Sequence, residues 1–154
     1  MSEDLRERFP EAEWIDSHGQ EVVRLSREQL LDFCQAAFDA GFEVLADVTA
    51  VDWYRERTPR FDVVINLLSM QHRRRLRLLV GVPDGESTIP SLVPIWPGAN
   101  FGEREVYDMF GIEFEGHPDL TRILMPDDWA GFPLRKDFEV GAVPVQFKAS
   151  HQVH

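Results

Sequence analysis

The chain has 154 residues, of which 44% are hydrophobic and 28% charged, a composition typical of a single soluble globular domain with a real core. Sixteen basic residues against 27 acidic ones give a net charge of −11 at pH 7, the wrong sign for a nucleic-acid-binding protein. The single cysteine, Cys34, excludes an internal disulfide, and it excludes an iron–sulfur cluster held by this chain alone, since a cluster needs several thiolates.

Targeting signals are not evident in the sequence. No apolar run approaches the roughly 20 residues that a membrane-spanning helix needs, and the acidic N-terminal stretch lacks the basic-then-apolar order of a signal peptide. We therefore expect a cytosolic chain that reaches a membrane only through a partner. The charge is uneven, because residues 57–80 are rich in arginine and residues 84–128 are rich in acids. This pattern suits docking against charged protein surfaces, although solvated faces alone would also produce it.

The N-terminal part of the chain predicts a short helix, a hairpin and a longer helix. Residues 3–9 form the short helix, and residues 12–25 form two strands around a turn at 17–20. Ser26 is expected to cap the next helix, in which apolar residues recur at helical spacing. Gly41 is expected to end that helix.

Three further strands follow, over residues 42–53, 60–70 and 73–82, and the last two are joined by a short turn. The first of them alternates apolar and polar residues, as a half-buried strand does. A helix followed by hairpin-linked strands predicts the α+β class. The expected architecture is a two-layer domain with a mainly antiparallel or mixed sheet covered by helices.

The pattern changes after the last of these strands. Asn100 is expected to cap a helix, with Glu103 three residues on, and Gly111 to end it. Residues 112–154 contain several prolines and little periodicity, but they are too rich in large apolar residues to be plain disorder. We divide the chain into an α+β domain over residues 1–111 and an extended partner-docking arm over residues 112–154.

The helix predicted after Asn100 carries the acids that most resemble a catalytic site. Glu103, Glu105 and Asp108 could do acid/base work, and Glu105 and Asp108 are expected on one helix face. Acids near a helix N-terminus also complement its dipole, and Arg104 is expected to pair with Asp108 four residues on. We favour this structural interpretation.

The histidine that follows this helix is a weak candidate for a metal ligand. His117 with Asp119 is a two-ligand fragment, and no third ligand stands at useful spacing. We expect His117 to be a hydrogen-bonded loop histidine. Glycine-rich nucleotide loops, paired-cysteine motifs and nucleophile elbows are absent from the sequence.

Aromatic and basic residues cluster in the predicted arm, at Trp129, Phe132, Arg135, Lys136 and Phe138. Aromatic and arginine side chains dominate the energetics of protein interfaces. We expect them to dock onto a partner, and the alternative is that they fold back onto the domain.

These residues belong to a longer run that identifies a family. Residues 98–138, GANFGEREVYDMFGIEFEGHPDLTRILMPDDWAGFPLRKDF, closely resemble the 30-kilodalton subunit, also called the C subunit, of respiratory NADH:quinone oxidoreductase (complex I). The resemblance extends upstream through residues 47–53, 61–83 and 91–100. A long ungapped run of this kind is far more specific than a short motif.

The resemblance implies a peripheral-arm subunit of a translocase, on the cytoplasmic side of a bacterial membrane. It would pack against the 49-kilodalton-like subunit that forms much of the quinone pocket. The family's 30-kilodalton protein binds no cofactor, so catalytic, cofactor-binding and metal-binding residues are not expected in this chain; NADH, FMN, Fe–S clusters and quinone belong to the assembled complex. The motif residues expected at the partner interface are Glu103, Arg104, Glu105, Asp108, Phe110, Gly111, Gly116, His117, Pro118, Asp119, Arg122, Pro126, Trp129, Pro133, Leu134, Arg135, Lys136, Asp137 and Phe138.

Two alternatives stay open at this point. The chain could be the equivalent subunit of a related membrane-bound hydrogenase or of a ferredoxin- or flavin-fed quinone reductase. It could instead be a small standalone acid/base enzyme that uses Glu105, Asp108 and His117.

Overall fold

A five-stranded mixed sheet forms the centre of the protein, as seen in a computed structural model that describes residues 2–139 and 141. The elements in chain order are α1 (Ser2–Arg8), β1 (Glu13–Ser17), β2 (Gln20–Leu25), α2 (Leu30–Asp39), β3 (Val44–Asp52), β4 (Phe61–Ser69), β5 (Arg74–Val82), β6 (Thr88–Pro90), α3 (Ala99–Phe110) and β7 (Glu113–Glu115). The strand order in the sheet is β1-β2-β5-β4-β3.

The pairing within the sheet follows from the order of the elements. Consecutive strands β1–β2, β3–β4 and β4–β5 are antiparallel neighbours, whereas β2 lies parallel to β5 after the chain has crossed over through α2. The short strands β6 and β7 form a separate parallel pair. The predicted α+β class with a mixed sheet is confirmed.

The first hairpin closes through the two-residue turn His18-Gly19. Both residues have positive φ, 56° and 83°, between the paired residues Ser17 and Gln20. A two-residue turn with both φ values positive matches the right-handed twist of the flanking strands. The hairpin predicted over residues 12–25 is confirmed.

A reciprocal capping box precedes α2. The Ser26 N–H donates to Gln29 Oε1 at 3.1 Å, and the Gln29 N–H donates to Ser26 Oγ at 3.3 Å. The predicted Ser26 cap is thus present as a bonded turn that leads into the helix, but the regular α-helix begins at Leu30 and its N-cap residue is Gln29, not Ser26. Gly41, with φ 95°, follows the helix as predicted.

The core lies between one face of the sheet and the helices. Residues of β2, β3, β4 and β5 that point to this face enter the core, and burying each large apolar side chain contributes about 1.5–3 kcal/mol. Helix α3 approaches β3 so closely that a Cβ at Gly102 would lie 3.1 Å from Val48 Cβ. The strand residues of this core are Val23, Leu25, Val48, Ala50, Phe61, Val63, Ile65, Leu67, Leu76, Leu78, Val80, Val82, Ile89 and Phe114.

The two ends of α3 differ in how well the sequence predicts them. Gly98 is the N-cap residue, no side chain caps this end, and the first turn contains no acid, so the predicted Asn100 cap with acids at the helix start is wrong. Gly111 ends the helix as predicted, with φ 72°. A Cβ at Gly111 would lie 2.5 Å from the Phe132 ring, so this position also permits a close approach of the chain.

Candidate docking site

Residues 116–139, here called the C-terminal segment, run back along α3 to the end of the sheet where β3 ends and β4 begins. Hydrogen bonds to α3 or to this sheet end hold it at residues 117, 121–125 and 134–137. Up to residue 139, the predicted arm therefore folds back onto the domain, which was the alternative to docking onto a partner. Residues 140 and 142–154 of that arm lie outside the described residues.

Asp108 on α3 holds the beginning of the C-terminal segment. Its Oδ2 accepts the backbone N–H groups of residues 123, 124 and 125 at 3.0, 2.7 and 2.9 Å. Its Oδ1 accepts Arg122 Nη1 at 2.6 Å. Burial alone would raise the pKa of Asp108, but these donors outweigh burial and lower the pKa below its ordinary value. The fully buried carboxylate is thus a charged anchor.

The predicted ion pair between Arg104 and Asp108 is wrong. Arg104 Nε donates to the Thr121 carbonyl at 3.1 Å, and its Nη2 donates to the Thr121 hydroxyl and the Arg122 carbonyl at the same distance. Arg122 takes the place of Arg104 beside Asp108, and its Nη2 also donates to the carbonyls of Trp129 and Gly131 at 3.0 Å. Helical spacing correctly predicted that Asp108 forms an ion pair. Its partner is Arg122, however, because the C-terminal segment folds back beside α3.

A second anchor holds the end of the C-terminal segment and consists of Arg60, Asp52, Asp84 and Asp137, here called the Arg60 cluster. The guanidinium of Arg60, a residue only 7% exposed, donates to both Asp52 oxygens at 2.9 Å. It also donates to Asp137 Oδ1 at 2.7 Å and to Asp84 Oδ2 at 2.9 Å. Planar pairing of this kind favours the charged states of Arg60, Asp52 and Asp137.

The backbone of the segment joins the same cluster. The Lys136 N–H donates to Asp52 Oδ2 at 2.8 Å. Burial would raise the pKa of Asp52, but the bonds from Arg60, Lys136 N–H and Tyr54 N–H outweigh it and lower the pKa to about 2. Asp52 therefore carries its charge at neutral pH and ties the segment to the end of β3.

Arg135 lies between the two anchors and faces inward. Its Nε donates to the Phe110 carbonyl at 2.6 Å, which satisfies one of the last carbonyls of α3. Its guanidinium lies 5.2 Å from the Phe61 ring centroid and 4.8 Å from that of Phe132. The Leu134 N–H donates to the Met109 carbonyl at 3.1 Å. Residues 134 and 135 of the family motif therefore stabilise the packing of the C-terminal segment against α3 and β4.

Glu103 and His117 form a buried contact beside α3. Glu103 Oε2 accepts the Ser91 hydroxyl, and Oε1 accepts the Leu92 N–H, both at 2.6 Å, and burial raises the pKa of Glu103. His117 Nδ1 accepts the Asp119 N–H at 3.0 Å, which leaves the proton on Nε2, 3.2 Å from the Asn100 carbonyl. The predicted hydrogen-bonded loop histidine is confirmed.

The residues considered for acid/base work do not form one site. Glu105 is exposed whereas Asp108, three residues on along α3, is fully buried, so the two carboxylates have different surroundings. The Asp108 oxygens are occupied by the donors described above, and His117 is held by its own loop. Within residues 2–139 and 141, no group of three or more His, Cys, Asp or Glu side chains is arranged to hold a metal ion.

The residues expected at the interface fall into three groups by exposure. The buried ones are Glu103, Asp108 and Phe110. The half-buried ones are Arg104, Gly111, His117, Arg122, Trp129, Pro133, Arg135 and Phe138. The exposed ones are Glu105, Gly116, Pro118, Asp119, Pro126, Leu134, Lys136 and Asp137.

The outward side of α3 and the C-terminal segment carries large apolar residues. Phe101 is 63% exposed, Leu124 62%, Leu134 54% and Ile123 37%. They are four of the eight exposed large hydrophobic residues in the described part of the chain. The sequence prediction included only Leu134 among them, because no local pattern tells which side of an irregular segment faces solvent.

The sequence prediction also missed Arg60, Asp52 and Asp84 of the second anchor. Arg60 and Asp52 lie 77 and 84 residues from their bonding partners in the C-terminal segment. Their only sequence signal is a charged residue at each end of an apolar strand.

Cys34 is buried, as expected of a core thiol, and burial raises its pKa. The described part of the chain contains no helix long and apolar enough to cross a membrane.

Comparison with known protein families matches residues 23–143 to the family described as respiratory-chain NADH dehydrogenase, 30 Kd subunit. The C subunit of the NADH-quinone oxidoreductase of a Nocardioides species is 50% identical over 133 residues, which are 84% of this chain and 53% of that protein. The corresponding protein of Saccharopolyspora erythraea is 44% identical over 153 residues, 95% of this chain and 61% of that protein. The chain thus spans little more than half the length of these two relatives. The corresponding protein of Geobacter sulfurreducens is 44% identical over 87% of this chain and 85% of its own length.

Two solved structures share the fold. The trypsin-resistant fragment of Nqo5 superposes with a TM-score of 0.70 at 36% identity, over 77% of this chain and 96% of the fragment. A chain of the membrane-bound sulfane sulfur reductase, an archaeal respiratory membrane complex, gives a TM-score of 0.81 at 24% identity, over 99% of this chain and 96% of its own. At that identity the second likeness shows the fold alone.

Proposed function

The chain belongs to the family of the respiratory-chain NADH dehydrogenase 30-kDa subunit, and from this premise we propose that it is a structural subunit in the peripheral arm of a proton-translocating NADH:quinone oxidoreductase. In this proposal it lies on the cytoplasmic side of the membrane and supports the 49-kilodalton-like subunit that forms the quinone site. NADH, FMN, Fe–S clusters and quinone are bound by other subunits, and this chain has no active site of its own.

The observation that carries the proposal is a C-terminal segment anchored at both ends with apolar side chains turned outward. Asp108 fixes the backbone at residues 123–125, and the Arg60 cluster fixes it at residues 136 and 137. Leu124 and Leu134 therefore project from a segment whose backbone is already ordered. A preorganised surface loses less conformational entropy when a partner binds.

The family motif divides into two roles in this proposal. The buried and half-buried members, such as Arg122 and Arg135, position the segment through hydrogen bonds within the chain. The exposed members, such as Leu134 and Lys136, together with Leu124 and Phe101, contact the partner. Large apolar side chains exposed on the surface of a globular protein are candidates for contact with a partner.

Co-purification tests the proposal. We expect the tagged chain, expressed in its own host, to co-purify with a 49-kilodalton-like subunit. Replacing Leu124 and Leu134 with Asp should weaken this association by at least about tenfold per residue, as expected for interface anchors. Leu31→Asp is the matched control, because Leu31 is 41% exposed but lies on α2. Unchanged association of the Leu124→Asp/Leu134→Asp variant would contradict this placement of the interface.

The same preparation separates the proposed complex from the alternatives, which the fold alone does not distinguish. Flavin- and NADH-binding subunits among the co-purified proteins support NADH:quinone oxidoreductase. A nickel-binding large subunit instead identifies a membrane-bound hydrogenase. Turnover by the isolated chain that is lost in Glu105→Gln, with association unchanged, would overturn the structural role altogether.

A further inference from the structure

Two turns meet at the end of the sheet opposite the Arg60 cluster. The β1–β2 turn leads into Gln20, and the β4–β5 turn leads into Arg74; since β2 and β5 run parallel as neighbours, both turns lie at the same end. A shallow concavity of about 460 Å³ lies between them. It is lined by residues 18–21 of the first turn and residues 73–75 of the second.

This end of the sheet, here called the cationic end, carries three exposed arginines in succession, Arg73, Arg74 and Arg75. Arg74 Nη2 bonds to Glu21 Oε2 at 2.8 Å. Within residues 2–139 and 141, the side chains of Arg73 and Arg75 have no ion pair or hydrogen bond. Two cations therefore remain uncompensated on a chain whose net charge is −11.

Two acids close to the turns are engaged by the turns themselves. Asp16 Oδ1 accepts the Gly19 N–H at 2.9 Å, and Glu43 Oε1 accepts the Met70 N–H at 2.8 Å. These bonds occupy one oxygen of each carboxylate and hold it against its own turn. Glu21, which also lines the concavity, bonds to Arg74, and the exposed Asp47 lines a neighbouring concavity with Arg75 without pairing with it.

The tip of the β4–β5 turn carries residue types that are common at protein–protein interfaces. Met70 is 65% exposed there, and methionine and arginine are both enriched at protein interfaces. Arg73 adopts φ 52°, a conformation in which glycine would be free of steric strain. A bulky cation at this position therefore costs folding energy that a purely structural turn would avoid.

We propose that the cationic end is a second docking surface, and that its occupant is an acidic segment of another subunit of the same complex. Nine-residue strand β4 separates this surface from the Arg60 cluster, a distance of roughly 30 Å at the usual rise of a strand. The inference rests on the proposed function only in placing the chain within a complex. It makes the chain a bridge between two neighbours.

The charge distribution favours an acidic segment over an anionic membrane surface. Charges interact effectively over about 8–10 Å at physiological salt. A narrow acidic segment that enters the concavity would meet Arg73 and Arg75 beside the Arg74–Glu21 pair, and little of the surrounding acidic surface. A flat anionic bilayer would also approach the surrounding acidic surface of a chain with net charge −11, which would repel it.

Site-specific photo-crosslinking within the intact complex tests the proposal. A photoreactive amino acid is placed at Gln71 in the full chain, which is expressed in its host, and the crosslinked peptide is sequenced. We expect a peptide of another subunit that is rich in Asp and Glu. Its yield should fall at least tenfold in Arg73→Glu/Arg75→Glu, while the 49-kilodalton-like subunit still co-purifies. If the 49-kilodalton-like subunit still co-purifies while the crosslink is absent, the proposal for the cationic end is wrong and the proposed function still stands.

The matched control is Arg8→Glu/Arg55→Glu, which makes the same change of charge at exposed arginines elsewhere and should leave the crosslink intact. Arg73→Gln/Arg75→Gln should reduce the yield to an intermediate level, and it keeps the test valid if the double reversal fails to fold. A crosslinked peptide without acids, a yield insensitive to charge, or no crosslink would overturn the proposal. Binding of the purified chain to phosphatidylglycerol vesicles that depends on Arg73 and Arg75 would also overturn it, in favour of a membrane contact.

Discussion

At the scale of single residues, Asp108 shows how a buried charge specifies the path of an irregular segment. Its carboxylate accepts three consecutive backbone N–H groups and one guanidinium, so each donor of that turn has a partner despite the absence of regular structure. A neutral side chain of the same size could not satisfy the same donors. Asp108 therefore specifies the position of the segment as well as stabilising it.

We predict that Asp108→Ala lowers the free energy of unfolding by about 3–5 kcal/mol, because the Arg122 guanidinium loses its carboxylate and three backbone N–H groups lose their acceptor. Urea denaturation of the purified chain measures this loss. The control is Glu105→Ala on the same helix, where the exposed side chain should change the free energy by no more than about 0.5 kcal/mol. A loss below about 1 kcal/mol for Asp108→Ala would show that water replaces the carboxylate.

At the scale of elements, the junction between α3 and the C-terminal segment depends on a glycine for two reasons. Gly111 has positive φ, and its missing Cβ leaves room for the Phe132 ring. Phe132 in turn packs under the Arg122 and Arg135 guanidinium groups. Helix end, ring and arginines therefore form one packed unit.

Gly111→Ala should destabilise the protein more than an alanine at another glycine of similar φ. Gly85 is the comparison, because its φ is 87° but no atom lies within 4 Å of an added Cβ. Both substitutions incur the cost of the left-handed conformation, about 1–2 kcal/mol, and only Gly111→Ala displaces Phe132. We expect an additional loss of at least about 1 kcal/mol in urea denaturation. Equal losses would mean that Phe132 moves aside without cost.

The elements also show where local sequence signals suffice. The first hairpin, the Ser26 capping box and the end of α3 at Gly111 were predictable, because each depends on residues a few positions apart. The start of α3 was not, because Glu103 bonds to Ser91 and Leu92 in the core and contributes nothing to a cap. A polar residue at helical spacing gives no sign of which buried donor it will meet.

At the scale of the whole molecule, the Arg60 cluster joins parts of the chain that are far apart in sequence. Asp52 ends β3, Arg60 precedes β4, Asp84 follows β5, and Asp137 comes from the C-terminal segment. The family resemblance predicted that Arg135, Lys136 and Asp137 matter. The bonds of Arg135, of the Lys136 backbone N–H and of Asp137 to the domain could not be predicted, since their partners lie far upstream and no local pattern links them.

The Arg60 cluster predicts how acid affects the whole molecule. The folded-state pKa of Asp52 is about 2, below the ordinary value of 3.8. The pKa of Asp137 is also lowered, and the main cause is its hydrogen bond to Arg60. A lowered pKa gives stability that is present above the unfolded-state pKa and is lost as the pH falls through the folded-state pKa. Asp52 alone should therefore contribute about 2 kcal/mol at neutral pH, lost between about pH 5 and pH 2.

Glu103 acts in the opposite direction, because burial raises its pKa and its protonation on acidification favours the folded state. Comparing the native chain with Asp52→Asn isolates the contribution of Asp52 from that of Glu103. Denaturant unfolding between about pH 7 and pH 3 should give the variant a lower free energy at neutral pH and a shallower decline towards acid. Parallel curves for the two proteins would show that the Arg60–Asp52 pair adds no pH-dependent stability, and the C-terminal segment would then depend on Asp108 for its position.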